Sequence, residues 1–369
     1  MSVYDELDLP RVINASATLT RLGGSRMPPP VVAAMAEAAE SFVDLDRLQE
    51  KVGARIAEST GNAACYVSSG AAAGIVVAVA ACIAGTDPAL TFAFPELKGV
   101  EQTEVVIHRS QRNGYDYAAR QTGARMVEID GTAESLTNAL SSRTACVLWF
   151  AGAHYEANAL PLDEVVRIAH ERGVPVLVDA AAQIPPVSNL GRFTRELGAD
   201  AAIFSGGKGL RGPQSSGLVL GTEEIVAGCR ANGNPNHSLG RPMKVGKEEL
   251  AGILAAVEWS LAQDEPATLA RYEATVQRWI DGVSGIPGIT AERIYPSEAG
   301  QPHGRAIVHI NPSCPLTRDQ VVAALWDANP RIAVATHRLS DDAIALNPQT
   351  IEPGEDELVL AALRRVLMH

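Results

Sequence analysis

The sequence predicts an α/β protein with a mostly parallel central sheet, helices on both of its faces, and a smaller α+β C-terminal part. Three observations carry this. Between residues 104 and 220, short runs of Val, Ile, Leu and Phe alternate with helix-patterned stretches. The runs are apolar at nearly every position, as strands are when both faces of a sheet are covered. After Lys247 the alternation stops, and two long helical patterns follow with no strand between them.

The elements follow in chain order. Residues 1–45 read as an N-terminal segment that packs on the small domain or on a partner subunit, with Pro28-Pro29-Pro30 starting a helix. Residues 46–262 are expected to form the large domain and residues 263–369 the small one. The Ala-rich run Ala71–Ala84, 14 residues long, reads as a buried helix. It is short of the roughly 20 residues that cross a bilayer. Strands are expected at Glu104–Ile107, Arg125–Ile129, Thr144–Phe150, Val174–Val178, Ala201–Phe204 and Leu218–Leu220. Helices are expected at Tyr115–Thr122, Thr132–Ser141 and Leu162–Arg172, and Gly123, Gly173 and Gly198 stand where helix-ending glycines belong. Lys247–Ala262 and Pro266–Val283 are the two long helical patterns. The tail adds strand-like Thr290–Ile294, Ile307–Ile310 and Ala343–Leu346, with helical Thr317–Ala328 and Glu355–Leu367.

Composition excludes several classes. At 46% hydrophobic and 20% charged, the chain of 369 residues is globular rather than disordered, and long enough for two domains. A net charge of −12 with only short basic clusters predicts no nucleic-acid partner. The start, MSVYDELDLP, has neither the basic nor the apolar stretch of a secretory leader, and no membrane span is expected. Five scattered Cys residues without a CxxC predict neither a disulfide framework nor a metal site. A reducing, cytoplasmic setting follows.

Ligands of open parallel sheets bind beyond the carboxyl ends of the strands, and three features stand there. Asp179 directly follows an apolar strand, where a carboxylate is costly without a cationic partner; it also suits an N-cap. Ser205-Gly206-Gly207-Lys208-Gly209 follows the next strand. Its glycines admit a close backbone, and a tuned Lys is the usual amine for bonding a carbonyl. Taken alone it also reads as a solvated surface turn. Gly209 after the Lys excludes a Walker A loop, which needs Ser or Thr there. Ser68-Ser69-Gly70-Ala71 opens the Ala-rich helix, where free N–H groups suit a phosphate or simply an N-cap. Lys208 follows Asp179 by 29 residues, one strand further on. Together the three have the layout that holds pyridoxal 5′-phosphate (PLP): phosphate on the helix start, carboxylate on the pyridine nitrogen, Lys on the aldehyde.

The chain resembles the fold-type I PLP-dependent enzymes, and within them the selenocysteine synthase-like group. The resemblance rests on Val12–Ala15, Leu19–Ser25, Ser68–Gly74, Val178–Gln183, Phe204–Gly209 and Gly240–Lys247, from the N-terminus past the large domain. It implies the PLP-dependent transferase fold, with Lys208 as the Schiff-base lysine and Asp179 paired with the pyridinium. Ser69, Gly70, Ala71 and Ser205 are implied to hold the phosphate. Gln183 stands to reach the phenolic oxygen or to cap the turn before Pro185-Pro186, and Arg241 to reach a neighbouring subunit's site in a homodimer or larger homo-oligomer. The resemblance implies a His against the ring where Gln111 stands, so Arg112, Tyr115 or His154 is left to cover it. His154 follows the Thr144–Phe150 strand and is also a candidate acid or base.

The expected reaction is β-elimination from a β-hydroxy amino acid or amino sugar acid, giving a 2-keto acid and ammonia. That makes the protein a lyase with a small-molecule amino acid substrate. Racemase, aldolase and transferase chemistry share the first steps and stay open, as does a binding protein without turnover. Selenium transfer on a seryl-tRNA fits poorly with the −12 charge and with core motifs that begin near Arg11. A nicotinamide dehydrogenase lacks its glycine fingerprint. Arg112 and Arg338, with Arg305 and Arg331, are candidates for gripping the substrate carboxylate.

Overall fold

The structure, a computed structural model, describes residues 2–368. Among them the strands in chain order are β1 (Val12–Asn14), β2 (Ala64–Ser68), β3 (Glu104–His108), β4 (Arg125–Ile129), β5 (Thr144–Phe150), β6 (Val176–Asp179), β7 (Ala201–Ser205), β8 (Gly217–Gly221), β9 (Ile289–Ile294), β10 (Arg305–Ile310), β11 (Arg331–Ala333) and β12 (Ala343–Leu346). The chain divides into two compact units. One runs from Met27 to Ala262; the other joins the residues up to Arg26 with those from Gln263 onward.

The larger unit holds a seven-stranded sheet in the order β2-β8-β7-β6-β5-β3-β4. The strands β3 to β7 run parallel to their neighbours among themselves, while β8 is antiparallel to both β7 and β2. Alternate residues feed two separate cores. Val147, Trp149, Val176, Val178, Ala202 and Phe204 pack on one face, and Leu148, Phe150, Leu177 and Ile203 on the other. This double burial is why the strands carry no polar alternation. It also hid the reversal of β8: a strand buried on both faces reads the same in either direction. The short β2 was not foreseen, nor were the helices Leu45–Thr60 and Glu223–Asn232.

The Ala-rich run forms a helix over Ala71–Ala84, and ten of its fourteen residues are buried. It lies close on the sheet. A Cβ at Gly74 would stand 2.8 Å from Ile203 and 3.3 Å from Val219. The helix Pro29–Ala39 starts on the proline triplet. It packs on the helix Lys247–Leu261, where Gly252 leaves just enough room for Met35: a Cβ there would lie 2.7 Å from its Cγ. That contact places residues 27–45 in the larger unit, so the boundary falls near residue 26 rather than 45.

In the smaller unit β1 pairs in parallel with β11, Ile13 opposite Ile332. The N-terminal segment is thereby tied to the tail, and the Ala15 carbonyl accepts from the Asn347 N–H at 2.7 Å. An antiparallel sheet, β12-β10-β9, packs on the helices Glu265–Val283, Arg318–Trp326 and Glu355–Leu367 around Trp279, Val308 and Ile344. Among the described residues no helix is long and apolar enough to cross a membrane.

Candidate active site

The parallel strands β5, β6 and β7 end side by side, and their last residues and following turns build the site. Phe150 ends β5 opposite Asp179, which ends β6, and Asp179 pairs with Ile203 of β7. Asp179 is only 8% exposed. Burial pushes its carboxyl above the usual carboxylate range, opposed by a hydrogen bond from the Ala181 N–H at 2.9 Å and by the charge of Lys208. The carboxylate and the ammonium are therefore close enough to feel each other across two neighbouring strand ends.

Lys208 sits in a tight turn after β7, and its glycines explain the turn's shape. A Cβ at Gly206 would lie 2.0 Å from the Ser216 hydroxyl, one at Gly207 2.6 Å from Gln214 Cα, and one at Gly209 2.1 Å from the Ile184 carbonyl oxygen. Real Cβ atoms do not approach so closely, so three glycines let the turn fold back on itself and press on the Asp179–Ile184 segment. The Gly206 N–H donates to the Ser216 carbonyl and the Gly212 N–H to the Gly206 carbonyl, both at 2.8 Å. Gly206 and Gly207 are buried, unlike a solvated surface turn. Ser205 is half-buried at the end of β7 and pairs with Gly217.

Gly217 in turn abuts the start of the Ala-rich helix. A Cβ there would stand 2.6 Å from the Gly70 carbonyl carbon and 2.9 Å from the Ala71 nitrogen. Gly70 is the N-cap, with φ 132° and no side-chain cap on the helix. The first N–H groups of that helix lack partners within it. The Ser68 hydroxyl is turned to the Gly70 carbonyl at 2.9 Å, while Ser69, Gly70 and Ala71 are half-buried at the opening. A Cβ on Gly70 would meet nothing within 4 Å, so the space in front of the helix start is open.

Gln183 is buried beneath this edge. Its side-chain amide donates to the Ala151 carbonyl at 3.3 Å, and its own carbonyl accepts from Asn189 Nδ2 at 2.7 Å. It thus joins the end of β5 to the turn after β6. His154 lies on the short helix Ala153–Glu156 beyond β5, exposed, with its ring 3.8 Å from that of Tyr155.

Three expected residues have other surroundings. Arg112 does not stand apart to take a substrate: it is ion-paired with Asp116 and Glu128, and Asp116 also holds Arg120 at 2.9 Å. Arg241 is half-buried in the loop after the helix Glu223–Asn232, where its carbonyl accepts from Asn234 at 3.0 Å. Arg338 belongs to the smaller unit and is exposed, with φ 59° in the segment between β11 and β12. All five cysteines are free, and none pairs with another in a disulfide.

The resemblance places position 111 at the cofactor ring; what the turn after β3 does with a Gln there was not foreseen. His108 and Gln111 are fully buried, Gln111 bonding the backbone of Phe150 at the end of β5 and His108 that of Leu160 beyond it. A His followed by a Gln three residues on has no spacing that announces such a role.

The residues at the sheet edge fit PLP. An uncapped helix start with open space before it suits a phosphate, a buried carboxylate suits a pyridinium N–H, and a lysine beside that carboxylate suits an aldehyde. The comparisons with known proteins agree. Residues 100–231 match the model of the aminotransferase class-V family. The chain is 33% identical over its whole length to D-glucosaminate-6-phosphate ammonia lyase of Salmonella typhimurium, covering 98% of that protein. It is 32% identical over 99% of its length to the 5′-C-glycyluridine monooxygenase-decarboxylase of a Streptomyces species, covering 92% of it. A solved structure of D-glucosaminate-6-phosphate ammonia-lyase superposes with a TM-score of 0.86 at 32% identity, over 100% of this chain and 99% of that one. A lysine-to-alanine variant of a serine palmitoyltransferase from S. paucimobilis, with a PLP–myriocin aldimine bound, superposes with a TM-score of 0.61 at 16% identity, over 96% of this chain and 87% of the other. That likeness carries the fold alone.

Proposed function

Because the chain belongs to the fold-type I, PLP-dependent family that includes D-glucosaminate-6-phosphate ammonia lyase, we propose that it is an ammonia lyase acting on an amino sugar acid or a related β-hydroxy amino acid. The observation that carries this reading is the buried carboxylate of Asp179 at the end of β6, within reach of the charge of Lys208 in the turn after the adjacent β7. When bound there, PLP supplies an electron sink for the carbon that bears the substrate amine.

The chain's own residues do the rest. Lys208 Nζ would hold the cofactor's aldehyde and, once free, would take the proton from the substrate α-carbon. Asp179 would hold a proton on the pyridine nitrogen; a cationic N–H beside it would offset the cost of its burial. Ser69, Gly70, Ala71 and Ser205 would hold the phosphate, and Gln183 would serve the phenolic oxygen. His154 gives a proton to the departing β-hydroxyl. Loss of that hydroxyl as water, followed by hydrolysis of the resulting 2-imino acid, yields a 2-keto-3-deoxy acid and ammonia. Arg112 has no part in this, since Asp116 and Glu128 hold its guanidinium. Arg241 serves a neighbouring subunit, so the enzyme works as a homodimer or larger homo-oligomer. Its five free cysteines favour the cytoplasm.

The test is turnover with D-glucosaminate-6-phosphate and other β-hydroxy amino acids, with PLP present and no keto acid added. Sustained release of ammonia and 2-keto acid is the expected result. Arrest after one equivalent, with the cofactor left in its amine form, would make the enzyme a transaminase. Solvent deuterium at the α-carbon without ammonia would make it a racemase. Oxygen uptake with release of carbon dioxide would instead follow the chemistry named for the second relative.

A further inference from the structure

The turn after β3 sends its side chains into the backbone of the segment that follows β5. Gln111 Nε2 donates to the Phe150 carbonyl at 3.1 Å, and the Phe150 N–H donates to Gln111 Oε1 at 3.0 Å. The same Nε2 is 3.5 Å from the Tyr155 carbonyl. Ser110 Oγ donates to the Asn158 carbonyl at 3.1 Å, and the Leu160 N–H donates to His108 Nε2 at 3.2 Å. Three side chains of one short turn thus hold residues 150, 155, 158 and 160.

The sheet explains why Phe150 needs this. Backbone pairing between β3 and β5 runs from Glu104 opposite Thr144 to Val106 opposite Val147 and then stops. On its other side Phe150 pairs with Asp179. The Gln111 amide, with a donor and an acceptor side by side, takes the place of the missing strand for Phe150. An amide in that role satisfies two buried backbone groups that are otherwise costly to leave unpaired.

The next residue carries the constraint into the site. The Ala151 N–H donates to the Asp179 carbonyl at 2.9 Å, and the Ala151 carbonyl accepts from Gln183 Nε2 at 3.3 Å. Both partners are residues placed against the cofactor above. We infer that Gln111 is a positioning residue of the cofactor site: by completing the edge of β5 at Phe150 it fixes Ala151, and through Ala151 it sets Asp179 and Gln183. The cofactor half of this rests on the reading just proposed; the backbone half does not.

His108 belongs to the same device. It is fully buried, and accepting from Leu160 on Nε2 puts its proton on Nδ1, which has no hydrogen-bond partner. Only the neutral ring has the lone pair that Leu160 needs.

Two substitutions test the inference on the chain without cofactor, by amide hydrogen exchange, and with PLP, by the absorbance band of the bound cofactor. Gln111→Ala is expected to speed exchange at Phe150 and Ala151 by at least tenfold and to shift the pH midpoint of the band. Arg109→Ala, on the same turn but paired with Glu128 and Asp130, is expected to change neither. Gln111→Glu is the conservative variant. Its protonated carboxyl offers a donor and an acceptor like the amide, and its carboxylate offers only acceptors. The donation to the Phe150 carbonyl, which shares its peptide unit with the Ala151 N–H, is therefore kept at low pH and lost at high pH, so protection at Ala151 is expected near wild type at low pH and lowered at high pH. This variant decides the matter if the alanine variant fails to fold. Unchanged protection in Gln111→Ala, or pH-independent protection in Gln111→Glu, overturns the inference. Lost protection with an unmoved cofactor band overturns its cofactor half and leaves the ammonia assay untouched.

Discussion

Asp179 and Lys208 are readable from sequence because their positions are local: each lies at the end of an apolar strand, one as a lone acid, the other among glycines. Asp179→Asn keeps the shape and the Ala181 contact but removes the charge proposed to hold a proton on the ring nitrogen. It should bind PLP and lose turnover by on the order of a hundredfold or more, read as kcat at saturating substrate. Near-normal turnover would make the carboxylate structural. Gln111 was not readable in this way. Its partner Phe150 lies 39 residues along the chain, and only the early end of β3–β5 pairing makes the bond necessary. The ion pairs of Arg112 were hidden for the same reason, since Glu128 reaches it from the neighbouring strand β4. His108 yields a prediction about pH. Burial lowers its pKa from 6.5 to about 4. Between those values the unfolded chain binds a proton that the folded chain does not, so stability rises with pH across the window and is lost as pH falls through it. The difference is about 3 kcal/mol. Urea midpoints measured from pH 7 to pH 4 should fall steeply in the wild type and less steeply in His108→Gln.

At the scale of elements, the strands were legible and their directions were not. β4, β5 and β12 have the limits expected from the sequence, because β-branched and apolar runs mark a strand wherever it is buried. Nothing in Gly217–Gly221 distinguishes an antiparallel strand from a parallel one when helices cover both of its faces. The direction of β8 still matters, for it brings Gly217 against Gly70 and so joins the lysine turn to the helix start. The turn itself gives a prediction. Gly209→Ala would set a Cβ 2.1 Å from the Ile184 carbonyl oxygen, and backbone must move to relieve it. Such overpacking costs about 1–3 kcal/mol. Chemical denaturation should show that loss, and PLP titration should show weaker binding, because the strain falls between Lys208 and the Asp179–Ile184 segment. Tight PLP binding with an unchanged midpoint would mean that the turn is more pliant than its contacts imply.

Over the whole molecule, the two-unit division and the nature of each sheet follow from where the strand–helix alternation stops. The N-terminal boundary was harder to read, because the helix Pro29–Ala39 is tied to the helix Lys247–Leu261, far along the chain. The surface bears on the proposed assembly. Val3, Tyr4, Leu7 and Leu9 are each more than half exposed, and Phe42 is wholly so. Sedimentation should give a homodimer or larger; a monomer with full activity would contradict shared sites. The proposed chemistry depends on one bond, that between Lys208 and the cofactor, since the sheet edge, the glycine turn and Asp179 all have meaning through it. Reduction of the PLP-loaded protein with borohydride, followed by peptide mapping, tests that bond directly. A single pyridoxyl adduct on Lys208 is expected; an adduct on another lysine, or none at all, would contradict the proposed function.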